Sequence, residues 1–166
     1  MSPLTMFTSR CVGLLSGLAL LALTVLAPWQ ASADEEHNVS RGGVAIHGFD
    51  PVAYHKAGKP TKGLAQYSAE YEGVRYLFAS SGNRSAFTAA PAKYAPAYGG
   101  WCSYGVRVGK KFDVDPAAWQ VVDGRLFLQL DPGTQKVWLK DTDRNIAIAD
   151  RIWPSIMAVP AKTLAE

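Results

Sequence analysis

The chain is poor in the side chains that carry most protein chemistry. It has two cysteines and three histidines in 166 residues, too few thiols for a disulfide-stapled fold and none in the paired spacing of a zinc ribbon. No two histidines stand four apart, so no helix can offer a histidine pair to one metal ion. The Gly-x-Ser-x-Gly elbow of serine hydrolases is absent, and no histidine has a nucleophile motif beside it. Basic residues are scattered, with no run longer than Lys110-Lys111, so nucleic-acid binding has no electrostatic footprint. Internal repeats and low-complexity stretches are lacking too. No catalytic residue is assigned, and the balance leans away from an enzyme.

The one long uncharged run is at the start. Residues 1–10 carry a single side-chain charge, Arg10, and Cys11 to Ala27 carry none. Pro28 ends any helix. Ala31-Ser32-Ala33 supplies the small-x-small pattern of a signal-peptidase site, and Asp34-Glu35-Glu36 follows at once. The sequence therefore predicts a signal peptide over residues 1–33, cleaved after Ala33, and a periplasmic or secreted product with no further membrane contact. The rival is an uncleaved anchor, but seventeen uncharged residues sit at the bottom of the spanning range and glycines dilute them. No twin arginine is present, which favours the general secretory route.

Removing residues 1–33 leaves 133, with sixteen Lys and Arg against fourteen acids. That length suits one domain with one core. Cys102 is then the only cysteine, so packing rather than a disulfide must hold the fold.

Along the remaining chain, residues 34–44 read as a flexible arm. Asp50-Pro51 opens a short helix, with Asp50 as N-cap, Pro51 at the first position and Gly58 at the end. Residues 65–79 alternate as a hairpin around Glu72-Gly73. Ser80 or Ser81 caps a helix that Pro91 closes. Three glycines among the aromatics of Tyr98–Gly105 imply close backbone approach. Asp115-Pro116 opens a turn or a helical turn, followed by a second hairpin over Trp119–Leu130 around Asp123-Gly124, whose residues suit a two-residue turn. Thr134 to Ile156 is helical in spacing and stops at Pro154. The fold class is α+β. It is a small single domain over 45–157, with two β-hairpins in an antiparallel sheet, short packing helices, a C-terminal helical segment and a 158–166 tail.

Two stretches resemble the YHS domain. The family pattern of Asp-Pro-Val-Cys, then Gly-x-x-Tyr-x-Phe-Cys-Ser-x-x-Cys, then Phe-x-x-x-Pro-x-x-Tyr is read here as Asp50-Pro51-Val52-Ala53, Gly73 to Asn83, and Phe87 through Pro91 to Tyr94. The wider layout is similar to an exported subgroup. It adds Gly48 to Tyr54, Tyr98 to Cys102, the Asp-Gly hairpin and Ala149 to Pro154. The resemblance implies a link to transition metals such as copper in members that keep the cysteines. Here Ala53, Ala79 and Asn83 stand at those three positions, so the thiolate site of the family is not carried over.

The candidate ligand-binding residues are Asp50, Tyr54, Cys102 and Trp153, in a cleft between the Asp50 helix, the Tyr98–Tyr104 turn and the Trp153 segment. Cys102, His55 and His47 are the candidates for a copper or zinc site. Each has a bland alternative: Asp50 as a helix cap, the histidines as exposed or hydrogen-bonded, Cys102 as a buried small hydrophobe, and the aromatics as core. The leading expectation is an exported non-enzymatic binding protein for a small ligand, a metal or a protein partner. The alternatives are a thiol redox protein or enzyme using Cys102, and a pure interaction domain.

Overall fold

The computed structural model describes residues 36–164. Residues 1–35 and 165–166, and with them the whole expected leader, lie outside the described residues. Among the described residues no helix is long and apolar enough to cross a membrane.

The described residues open with two short strands, β1 (Val39–Ser40) and β2 (Val44–Ala45). Gly42 and Gly43 turn between them at φ 88° and 70°, a conformation that glycine adopts without a Cβ clash. The described part of the segment read as a flexible arm, residues 36–44, is therefore tied down, a correction to that reading for those residues. His37 is buried, and the Asn38 N–H donates to the Gly99 carbonyl at 2.9 Å. The Asn38 side-chain amide adds a bond to Asp113 at 2.8 Å. These partners lie more than sixty residues away, so the local polarity of the segment gave no sign of them.

Helix α1 (Pro51–Lys56) follows, then the hairpin of β3 (Leu64–Tyr71) and β4 (Val74–Phe78). Glu72 and Gly73 both have positive φ, 51° and 75°, as a two-residue type I′ turn requires. The four strands form one sheet in the order β1-β2-β4-β3, with β2 and β4 parallel. Helices α2 (Ser81–Ala89) and α3 (Pro91–Tyr94) come next, then a tight turn at Ala97–Gly100 and α4 (Ser103–Arg107). Gly99 sits at φ 59°, and a Cβ there would strike the Glu36 carbonyl. The close backbone approach expected from the glycines is the docking of the N-terminal segment.

The second hairpin, β5 (Asp115–Val122) and β6 (Arg125–Gln129), turns at Asp123 and Gly124 with φ 49° and 75°. It forms a sheet of its own. The α+β class and both hairpins are as expected, but the hairpins do not share one sheet. Asp115-Pro116 belongs to β5 rather than a turn, because a bulge between Asp115 and Trp119 absorbs the irregularity. Helices α5 (Pro132–Trp138), α6 (Thr142–Ile156) and the short α7 (Ala161–Leu164) complete the chain. Pro154 lies inside α6 and does not stop it, although its missing N–H removes one i→i−4 bond near the C-terminal end.

The core has two parts, and β6 separates them. Leu126 and Leu128 join Val52, Tyr54, Val74, Tyr76, Phe78, Phe87 and Cys102. Phe127 faces the other way, onto Tyr98, Val106, Trp138, Ala149 and Ile156. The two-residue period of a strand lets β6 serve both sides.

Candidate functional site

Asp50 is the most heavily engaged polar residue near the expected site. It is fully buried and lies where the start of α1, the end of β4 and the start of α2 meet. Its Oδ1 accepts from the Val52 and Ala53 N–H groups at 2.8 and 3.3 Å, as a helix cap should. Its Oδ2 accepts from the Ala79 N–H at 2.8 Å and from the Asn83 side-chain amide at 2.6 Å. Asn83 is itself held in the first turn of α2, where its backbone N–H donates to Ser80 Oγ at 3.1 Å.

Ala53, Ala79 and Asn83 are the three positions where the resemblance places cysteines. The fold brings all three to one carboxylate. A carboxylate has about four lone-pair directions, and four N–H donors occupy them here. The neighbouring alanines have no donor atoms, and the Asn83 amide nitrogen is spent on Asp50. The residues present do not fit a thiolate-bound transition metal. The position works instead as a hydrogen-bonded junction of three elements.

The other expected residues do not converge. Tyr54 is buried, stacks edge-on against Trp119 at 5.1 Å and donates its hydroxyl proton to the Pro116 carbonyl at 2.9 Å. Burial first, and the Asp115 and Asp50 charges after it, push its phenol pKa upward. Trp153 lies on the other side of β6, against Tyr98 at 5.9 Å and the Lys111 ammonium at 5.5 Å. The expected cleft is thus filled by packed side chains, and Trp153 belongs to the second part of the core. Sequence spacing could not reveal which face of β6 each aromatic would join.

The proposed copper or zinc donors are likewise dispersed. His47 pairs with Asp113 at 2.8 Å on the surface. His55 lies edge-on to Tyr94 at 5.3 Å; burial, then the Lys93 charge, lowers its pKa. Cys102 has no exposed surface. No group of three or more His, Cys, Asp or Glu side chains that could hold a metal occurs among the described residues.

Cys102 also fails as a redox thiol. Its Sγ accepts from the Gly105 and Leu130 N–H groups at 3.4 and 3.2 Å and lies 3.6 Å from Gln129 Oε1. Burial raises its pKa, and the backbone donors offset this only in part. A protonated, enclosed thiol is a poor nucleophile. It caps α4 and links that helix to the end of β6.

Two features had no sequence signal. Lys111 is 5 % exposed, and its ammonium donates to the Met157 and Val159 carbonyls at 2.7 and 2.8 Å beyond the end of α6. It lies 5.6 Å from the Trp101 ring and 5.5 Å from Trp153, within cation–π range. The second feature is a triad across β6 and α6. Arg125 makes a bidentate pair with Asp150 at 2.7 and 3.0 Å, and the Tyr98 hydroxyl donates to the same carboxylate at 2.9 Å.

Residues 52–98 match the family model described as the YHS domain. The matched stretch takes in α1 from Val52, the first hairpin, α2 and α3, and with them Ala53, Ala79 and Asn83, the residues gathered around Asp50 just before it. No curated protein and no solved structure matches the chain. Residues 52–98 are thus similar to the YHS domain, and the positions where that likeness places cysteines hold alanine and asparagine here.

Proposed function

We propose that this protein is an exported, non-enzymatic YHS-type binding module that works without a resident metal and takes a small ligand at its surface. The observation that carries the reading is the saturated Asp50 carboxylate. The face that would hold a metal in cysteine-bearing relatives is closed by four N–H donors and serves stability. Cys102 is enclosed and protonated, which weakens the thiol-enzyme alternative.

The experiment begins with the full chain expressed in a secreting bacterial host. The periplasmic product is expected to start at Asp34 by intact mass. It is then titrated with Cu(I), Cu(II) and Zn(II), beside Asn83→Ala. The reading predicts no stoichiometric binding tighter than micromolar for any of the three. One metal per chain, lost in Asn83→Ala, would refute the metal-free part. A cytoplasmic product that retains residues 1–33 would refute export.

A further inference from the structure

The docked N-terminal segment creates a surface cleft away from Asp50. Asn38 is bonded to the carbonyls of both Gly99 and Gly100, at 2.9 and 3.3 Å. This sets His37 beside the residue that follows those glycines, Trp101. His37, Val39, Arg41 and Trp101, with the Ser40–Gly43 turn, line a cleft of about 300 Å³.

Two lining residues carry a buried nitrogen with no hydrogen-bond partner, His37 Nδ1 and Trp101 Nε1. Buried polar atoms in folded proteins are nearly always paired, so two orphans bordering one cleft need an explanation. The His37 ring is held by its other end, with Nε2 3.4 Å from Glu72 Oε2, and its side chain is 10 % exposed. The indole nitrogen can only donate, so its missing partner is an acceptor. His37 Nδ1 is a second donor when the ring carries both protons. Arg41 is exposed on the same wall; its charge disfavours a cation, and its planar fork matches a carboxylate.

We infer that this cleft binds a small carboxylate, which accepts from Trp101 Nε1–H and pairs with Arg41. Val39 supplies apolar contact for a short alkyl group. The site rests on the binding-module reading and gives that module its ligand class.

The test follows the Trp101 indole ¹H–¹⁵N signal in the exported protein, assigned by its loss in Trp101→Phe. Acetate and propionate are titrated at constant ionic strength, with inorganic phosphate and chloride as separate arms. The expected result is a saturable downfield shift with either carboxylate and none with phosphate or chloride. In Arg41→Gln, an exposed position that leaves the fold intact, the apparent affinity should fall about fivefold or more. No saturable shift, an equal shift with phosphate or chloride, or an unchanged affinity in Arg41→Gln would overturn the inference. Such a failure alongside blank metal titrations removes the carboxylate site alone. Stoichiometric metal binding would instead remove the reading on which it rests.

Discussion

Replacing Asp50 by alanine should be among the most damaging single changes in the protein. The substitution removes the cap of α1, worth about 1 kcal/mol. It also strands the Ala79 N–H and the Asn83 amide, two donors at 2.8 and 2.6 Å from Asp50 Oδ2. A buried unpaired donor costs about 1–3 kcal/mol; Ala79 and Asn83 are both half-buried, so water recovers part of each share. The total is about 3–4 kcal/mol, a large part of the roughly 5–15 kcal/mol available to a domain. Asp50→Asn separates the contributions. It can keep Oδ1 as the cap acceptor, but turns an amide N–H₂ toward the other two donors, at a cost of about 2–3 kcal/mol. Urea unfolding followed by tryptophan fluorescence reads both variants. With a slope of about 2 kcal/mol/M, the alanine midpoint should fall by about 2 M. A loss below about 1 kcal/mol for Asp50→Ala would refute the junction, since the cap alone accounts for that much.

Three further outcomes follow from the same contacts. Cys102 in the native protein should react with a soluble maleimide on the order of 100-fold more slowly than in urea, because labelling must await local opening; rapid native labelling would reopen the thiol readings. Asp150 has its pKa held below the usual carboxylate range by its hydrogen bonds to Arg125 first; burial, the next largest effect, opposes this, and the Tyr98 hydroxyl adds to the lowering. Its contribution is therefore present above the unfolded carboxylate pKa and lost as pH falls through the lower folded one. Asp150→Asn should accordingly flatten the loss of stability below about pH 4 and cost about 1 kcal/mol at pH 7, the upper end for an exposed pair; an unchanged acid profile would contradict this. Lys111→Met should lower stability by about 2 kcal/mol through the carbonyls of Met157 and Val159, seen as earlier thermal unfolding of α6 by circular dichroism. A neutral result would mean that the ammonium does not secure that helix end.

What could be read in the sequence was local chemistry. Glu72-Gly73 and Asp123-Gly124 demand positive φ and both adopt it. Asp50-Pro51 announces a capped helix and forms one. What could not be read depends on partners distant in the chain. The second oxygen of Asp50 is satisfied from positions 29 and 33 residues away. The strands at Val39 and Val44 pair because Gly99 leaves room for the backbone at Glu36. The Tyr54 hydroxyl finds a carbonyl in β5, and Trp153 falls on the far side of β6. No spacing rule assigns a side chain to one of two cores that share a strand. The cysteine positions lie between these cases. Their replacement by Ala53, Ala79 and Asn83 is visible in the sequence, but their meeting at one carboxylate needs the fold.

The most direct test of the account is native mass spectrometry of the purified protein from cells grown with added copper and zinc. The closed Asp50 junction predicts a single species at the mass of the metal-free chain. A species carrying one copper or zinc per chain, which disappears when Asn83 is replaced by alanine, would contradict it.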